Sequence, residues 1–125
     1  MKELQEQYGL TYLFITHDLS VVNHFSDDIA VMYLGRLIEK APAEKLFANP
    51  LHPYTRALLS AIPVPDIDYK TEQILLTGEI ASPIEPAPVC RFQPRCYCAV
   101  ERCKKEEPTL KEVAPEHFVS CFLNE

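Results

Sequence analysis

Five cysteines are the residues of this 125-residue sequence with the clearest capacity for chemistry. Four of them are separated by five, six and seventeen residues: Cys90, Cys96, Cys103 and Cys121. Four thiolates can hold a tetrahedral zinc ion or an iron–sulfur cluster, although the close C-x-x-C pairs of zinc knuckles are missing. Packed thiols without a ligand are the third alternative that the spacing leaves open. Cys98 falls outside the pattern and is expected to be a spare packed thiol, or a substitute ligand when a neighbour is oxidised.

The segment that carries these cysteines is basic, although the protein as a whole is acidic. Five positive residues face one negative residue, Glu101, between positions 90 and 105: Arg91, Arg95, Arg102, Lys104 and Lys105. The local charge is therefore 5 − 1 = +4, against −6 for the whole chain. Because positive charge stabilises a thiolate, we expect lowered cysteine pKa values and partial neutralisation of any net-negative cluster.

A histidine, His17, stands directly after an apolar, β-rich run at residues 11–16. In open α/β sheets, ligands bind at the carboxyl ends of the strands. The alternative is that His17 caps the next helix or bonds a backbone carbonyl, and spacing alone does not decide between them.

The motifs that bind nucleotide phosphates are missing from this sequence. There is no GxxxxGK[ST] loop, no LSGGQ-like loop and no apolar strand ending in adjacent Asp-Glu. The three glycines, Gly9, Gly35 and Gly78, are too dispersed to build a loop whose N–H groups approach an anion. We therefore expect this chain alone not to hydrolyse ATP.

The composition is that of a folded, water-soluble protein, with 47% hydrophobic and 24% charged residues. A net charge of −6 argues against non-specific binding to nucleic acid or anionic lipid. No apolar run is long enough to span a membrane, and the charged N-terminus is unlike a secretory signal. A cytosolic setting with reduced thiols is expected, which favours metal ligation over disulfides.

Around these residues the pattern predicts an α/β fold. Gly9 ends a first helix, residues 11–16 read as a strand buried on both faces, and a short helix follows His17. Residues 29–33 form a second strand, Gly35 turns the chain, and Arg36–Glu39 alternates polar and apolar as the return arm of a hairpin. Prolines then introduce two further helices, at residues 43–48 and from Pro53 onward.

Proline-rich sequence divides the chain into regions of different character. We predict an α/β unit at residues 1–64, a linker at 65–89 and a small, mostly irregular Cys-rich domain at 90–125. Because we expect the sheet neighbours of the first strand to be missing from this sequence, apolar edges at residues 12–15 and 30–32 should be exposed. Self-association of the chain by strand pairing or swapping is the expected result.

Three stretches together resemble a known family: ITHDL, DDIAVMYLGRLIEKAP and NPLHPYTRALLSAIP. They are similar to the end of the ATP-binding subunits of bacterial ABC importers for oligopeptides, dipeptides and nickel. VCRFQPRCYCAVERC and EHFVSC resemble the cysteine segment that closes those subunits. The resemblance covers nearly the whole chain and implies the C-terminal fragment of a P-loop ABC ATPase domain followed by the Cys-rich domain.

The resemblance also implies roles for individual residues. His17 would be the switch histidine that contacts the γ-phosphate of ATP, with Asp18 orienting its loop. Cys90, Cys96, Cys103 and Cys121 would ligate a 4Fe-4S cluster, with zinc as the alternative. The complete subunit would use ATP and Mg²⁺, pair with a second ATPase subunit and transmembrane permease subunits, and sit peripherally on the cytoplasmic face of the cell membrane.

Three positions depart from the family pattern: Ala41 and Val89 stand where glycine is common, and Tyr97 where proline is common. These changes concern local backbone shape more than ligand identity. The rival interpretation of the sequence is a stand-alone metal-binding or redox-sensing interaction module with no part in ATP hydrolysis.

Overall fold

Four strands make one antiparallel sheet in the order β1-β2-β4-β3. The computed structural model describes residues 2–63, 72–80, 84 and 86–124. The strands are β1 (Asp28–Tyr33), β2 (Arg36–Pro42), β3 (Lys111–Ala114) and β4 (His117–Val119). The helices are α1 (Lys2–Tyr8), α2 (Leu19–Val22), α3 (Ala43–Ala48) and α4 (Pro53–Ser60). The predicted α/β class is confirmed, with the sheet antiparallel.

The hairpin of β1 and β2 is confirmed where the sequence predicted it. Its two-residue turn places Leu34 at φ 43° and Gly35 at φ 76°, the left-handed pair that matches the twist of the flanking strands. Glycine adopts this conformation without steric cost, whereas Leu34 does not. A hydrogen bond from the Arg91 guanidinium to the Leu34 carbonyl oxygen holds the turn from the Cys-bearing segment.

A bulge in β2 changes which residues face the core. Val31 pairs with Glu39 but Met32 pairs with Leu37, so Ile38 is an extra residue in β2. Ile38 and Glu39 are consequently both buried, at 6% and 0% exposure. The predicted alternation of β2 is therefore wrong at Glu39, because the bulge interrupts the two-residue period that alternation requires.

The buried Glu39 carboxylate joins three parts of the fold. It accepts the backbone N–H groups of Leu51 at 2.7 Å and His52 at 3.0 Å, just before α4. Its Oε1 also lies 2.7 Å from Nε2 of His117 in β4. A buried carboxylate is costly unless such partners satisfy it, so these three contacts hold β2, α4 and β4 together.

His52 begins α4 from inside the protein. Its Nδ1 accepts the Tyr54 N–H at 3.1 Å, and Pro53 occupies the first helical turn, so the predicted proline-led helix start is confirmed. Only 2% of His52 is exposed. Burial lowers the pKa of this imidazole to about 4, and the nearby Glu39 carboxylate only partly offsets that effect.

Phe92 carries the Cys-bearing segment into the core. Its ring centroid lies 5.2 Å from that of Tyr33, 5.4 Å from that of Tyr54 and 5.6 Å from that of His52. The two tyrosine contacts are edge-on, an arrangement that suits the charge distribution of aromatic rings. The buried core is Val22, Ile29, Val31, Tyr33, Ile38, Ala41, Ala43, Leu46 and Phe92.

The prediction of a buried strand at residues 11–16 is wrong for this structure. These residues form no strand, and Leu13 and Ile15 are 92% and 88% exposed. A β-rich sequence becomes a strand only beside a hydrogen-bonded neighbour, and no described strand pairs with this run. The contact of Phe14 with Phe25, at 5.1 Å between centroids, attaches the run to the region after α2.

The sheet combines strands from the first and third regions of the predicted division. β4 pairs with β2 through Glu39 with Val119 and Lys40 with Phe118. The boundaries at 1–64, 65–89 and 90–125 themselves stay a prediction, and linker residues 65–71, 81–83 and 85 lie outside the described chain. Within the described ranges, no helix is long and apolar enough to cross a membrane.

We expect Glu39→Leu to destabilise the chain by about 3 kcal/mol or more, because it leaves the buried His52 N–H and His117 ring and the part-buried Leu51 N–H without their acceptor. Urea unfolding followed by circular dichroism measures the loss. Glu44→Leu is the matched control, since Glu44 is exposed on α3 and should change stability by less than about 0.5 kcal/mol. Equal stability of the two variants would contradict the role given to Glu39.

Stability should fall in acid as His52 takes up a proton. Between its ordinary pKa of 6.5 and its folded value of about 4, the unfolded chain binds this proton and the folded chain does not. The contribution is therefore complete above pH 6.5 and lost toward pH 4, and it amounts to about 3 kcal/mol. Thermal unfolding across this pH range measures it.

His52→Asn should flatten that part of the pH profile, because asparagine can still cap α4 but does not titrate. His24→Asn, at an exposed position, should leave the profile unchanged. A wild-type profile in His52→Asn would show that another group causes the acid loss.

Candidate functional site

His17 lies exposed in the bend before α2, and its neighbour Asp18 is the residue that caps this helix. Oδ1 of Asp18 accepts the Ser20 N–H at 2.9 Å and the Ser20 hydroxyl at 2.5 Å. The Asp18 N–H donates to Thr16 Oγ1 at 3.0 Å. The Ser20 hydroxyl is the main cause of the lowered Asp18 pKa. Asp18 thus fixes the bend and leaves the imidazole of His17 open to solvent.

The cysteine segment is built from short turns, most of them stabilised by local backbone hydrogen bonds. The Cys90 N–H donates to the carbonyl oxygens of Cys103, at 3.1 Å, and Glu106, at 3.0 Å. A first 3₁₀ helix, Gln93–Arg95, ends just before Cys96. A second, Glu101–Lys104, contains Cys103. The two hydrogen bonds of the Cys90 N–H thus connect residues that are thirteen and sixteen positions apart in the sequence.

β4 delivers the fourth cysteine to the same place. The Ser120 N–H donates to the Ile38 carbonyl at 2.8 Å, and the Ser120 hydroxyl donates to the Pro108 carbonyl at 2.7 Å. Cys121 follows directly. The Arg102 guanidinium lies 4.1 Å from the centroid of the Phe122 ring, a cation–π contact that ties this end to the Cys103 helix.

The thiols are close enough to influence one another electrostatically. Cys90 is affected by Cys103 and Cys121, Cys96 by Cys98, Cys121 and Cys90, and Cys121 by Cys103 and Cys98. We call Cys90, Cys96, Cys98, Cys103 and Cys121 the thiol group. These influences link the four predicted ligand cysteines to one another and to Cys98.

Burial, rather than positive charge, governs the thiol pKa values. Loss of hydration raises the pKa of Cys90 to about 11 and that of Cys96 to about 12, and it raises the pKa of Cys121 as well. The neighbouring thiols act in the same direction. The expectation of lowered pKa values is therefore wrong for Cys90, Cys96 and Cys121, because these thiols are half-buried beside other thiols and arginines are not among the causes.

The thiol group matches a thiolate-bound metal in its chemistry but not in its present geometry. Four sulfur donors in one place are the ligands that zinc and iron–sulfur clusters use. Even so, no three His, Cys, Asp or Glu side chains in the described part of the chain are placed to hold a metal ion. Binding would require the thiols to deprotonate and to draw closer together.

His17 and the thiol group are separate candidate sites. Among the described residues, no hydrogen bond, ion pair or ring contact joins His17 to a cysteine. Sequence reasoning did not identify two residues that position the thiols, Phe92 and Glu39. A phenylalanine between two cysteines was a weak signal for the first, and the bulge hid the second.

Known proteins similar to this chain were found by two comparisons. A family model described as "Oligopeptide/dipeptide transporter, C-terminal region" matches residues 38–103. The chain is 50% identical over 122 residues to a dipeptide transport ATP-binding protein, DppF, of Haemophilus influenzae, covering 98% of this chain and 37% of that protein.

Two Bacillus subtilis proteins are similar to the same extent. The oligopeptide transport ATP-binding protein AppF is 53% identical over 125 residues, and the putative oligopeptide transport ATP-binding protein YkfD is 50% identical over 125 residues. Each match covers 98% of this chain and 38% of the relative. The chain thus spans less than two fifths of the length of these relatives. Because the family model covers more than half of its residues, this chain belongs to the family of oligopeptide/dipeptide transporter C-terminal regions.

Proposed function

We propose that this chain is the C-terminal part of the ATP-binding subunit of an ABC importer for oligopeptides or dipeptides, with nickel as a related substrate class. In the complete subunit, binding and hydrolysis of ATP would drive inward transport. The observation that carries this proposal is about 50% identity along 98% of the chain to proteins named for peptide transport and ATP binding.

The proposed subunit needs parts that this sequence does not contain. The relatives are more than twice as long as the stretch matched here. The residues that hold Mg²⁺ and the phosphates of ATP would belong to the rest of the subunit. Residues 1–64 would complete that P-loop ATPase domain. A second ATPase subunit and transmembrane permease subunits would be its partners on the cytoplasmic face of the membrane. Alone, the chain would self-associate through residues 12–15 and the free edge of β1.

We assign the switch role to His17. Its exposure leaves the imidazole accessible, and the Asp18 cap restrains the backbone beside it. Phosphoryl transfer depends on positioned groups that stabilise charge on the phosphate oxygens. His17 would donate a hydrogen bond to the γ-phosphate once two ATPase subunits close, and Asp18 would keep the loop in register.

For the thiol group we propose ligation of a 4Fe-4S cluster by Cys90, Cys96, Cys103 and Cys121, with zinc as the alternative. Support comes from the suitability of four sulfur donors for both ligands and from the backbone hydrogen bond that joins Cys90 to Cys103. Such a ligand would staple the Cys-rich region, because metal-binding free energy also stabilises the folded state. The adjacent basic residues would offset part of its negative charge.

The rival function, a stand-alone metal-binding or redox-sensing module, is not favoured. Similarity to the transport proteins is not confined to the thiol group, since it covers 98% of the chain. It therefore includes His17 and the start of α4 at His52 and Pro53. A module selected only for metal binding would have no physical need for the remaining half.

In a complete ATPase subunit containing this region, His17→Ala should lower the rate of ATP hydrolysis roughly 100-fold or more, because the lost contact acts mainly on transition-state charge. ATP affinity should change little. Steady-state hydrolysis and nucleotide binding measure the two effects in the assembled transporter. His24→Ala, at another exposed histidine, is the control, and normal turnover in His17→Ala would refute the switch role.

Anaerobically prepared protein, or protein reconstituted with iron and sulfide, should be brown and contain acid-labile sulfide. Serine at Cys90, Cys96, Cys103 or Cys121 should lower the iron content and the thermal stability. Cys98→Ser should do neither, which makes it the matched control. If the protein instead holds one zinc per chain and no sulfide, the bound metal is zinc and not a cluster. Equal metal content in all five variants would refute the assignment of the ligands.

A further inference from the structure

Residues 74–78, which lie in the predicted linker, are attached to two separate parts of the fold. The Ile74 N–H donates to the Ser60 hydroxyl oxygen at 3.0 Å, at the end of α4. Leu76 is partly buried and packs against the hydrophobic core, whereas Leu75 is 75% exposed. The segment therefore lies along the surface of the protein with alternate side chains directed inward.

Gly78 lies against the backbone of the turn formed by residues 92–96, which we call the Cys96 turn. A Cβ atom on Gly78 would be 2.7 Å from the carbonyl oxygen of Pro94 and 3.6 Å from Cγ of Arg95. The first distance is shorter than van der Waals contact allows, and φ at Gly78 is 95°, in the region that favours glycine. Only a residue without a side chain permits this approach.

The hydrogen bonds within the Cys96 turn are few. The Arg95 N–H donates to the Phe92 carbonyl at 3.0 Å, and the Cys96 N–H donates to the Gln93 carbonyl at 3.3 Å. Bonds of this 3₁₀ type have poorer geometry than those of an α-helix. Phe92 anchors the start of the turn in the core. The contact of the linker segment with Pro94 restrains the backbone nearer to the cysteine.

We propose that residues 74–78 are a strap that holds the Cys96 turn in place, with Gly78 as its positioning residue. Ser60 fixes one end of the strap and Leu76 fixes its middle. Restraining the backbone beside Cys96 limits the positions of its sulfur before any ligand binds. The consequence for a metal rests on the proposed thiol ligation, but the strap itself does not.

Hydrogen exchange of the reduced, metal-free chain tests the strap. Gly78→Ala should raise the exchange rates of the Arg95 and Cys96 amides roughly 10-fold or more, because the Pro94 carbonyl must move away and the turn opens more often. Gly9→Ala is the matched control. Gly9 also has a positive φ, of 62°, but a Cβ atom there meets nothing within 4 Å. This variant should leave exchange in the Cys96 turn unchanged.

Ser60 provides a second variant, which adds no atom near the Cys96 turn. Ser60→Ala removes the acceptor of the Ile74 N–H and should speed exchange in the turn more than in β2. Ser60→Thr keeps the hydroxyl and should restore the wild-type rates.

Two results would overturn the strap. One is equal exchange in the Cys96 turn of Gly78→Ala and Gly9→Ala. The other is acceleration in Gly78→Ala that is as large in β2 as in the turn, because that pattern means general destabilisation. If Gly78→Ala does not fold, Ser60→Ala decides, and wild-type exchange rates in its Cys96 turn refute the proposal.

Zinc binding separates the strap from the proposed ligand set. In the reduced chain, Gly78→Ala should weaken zinc binding roughly 10-fold and Gly9→Ala should not, because only the first change displaces a ligand. If the reduced wild-type chain binds neither zinc nor an iron–sulfur cluster, the ligand set fails, while the exchange rates still decide the strap. If Gly78→Ala binds zinc as tightly as the wild-type chain, Gly78 is not a positioning residue for Cys96.

Discussion

The fold depends on a single buried carboxylate. Glu39 is fully buried, and its cost is met only when Leu51, His52 and His117 supply donors at the same time. These donors come from the start of α4 and from β4. None of the three connections is optional once the carboxylate is inside, because an unpaired charge in the core is far more destabilising than a missing surface contact. The position of the thiol group follows from this constraint, since β4 leads directly into Cys121.

Further contacts strengthen this connection and pack the Cys-bearing segment against the first hairpin and α4. Phe92 fills the space between Tyr33, Tyr54 and His52, and Arg91 holds the turn of the first hairpin. Lys45 of α3 donates to Glu116 at 2.9 Å, in the turn between β3 and β4. The Cys-bearing segment therefore contacts the packed core on one side through Phe92. Cys96 and Cys98 are half-buried and partly accessible to solvent.

The sequence predicted the local elements well where a short-range signal existed. Gly35 and the apolar run at 29–33 were sufficient for the hairpin, and Pro53 for the start of α4. Glu39 could not be predicted, because a bulge at Ile38 reverses the alternation and no local signal marks that bulge. Residues 11–16 have strong β propensity, but propensity yields a strand only beside a partner strand. The position of Cys121 relative to the other thiols depends on the pairing of β2 with β4. The spacing of the cysteines in the sequence does not reveal that pairing.

The separation of Glu39 from His117 also bears on how the chain acquires its structure during synthesis. His117 follows Glu39 by 78 positions in the sequence, and a growing chain presents β2 long before β4. Closing so long a loop is slow compared with forming the β1–β2 hairpin. Until β4 is synthesised, the Glu39 side chain has no contact with His117, and burying it would be costly. The nascent hairpin therefore cannot bury its inner face completely. Core closure and assembly of the thiols would then be one late event, and exposure of the apolar face in the interval would make the unfinished chain a substrate for chaperones.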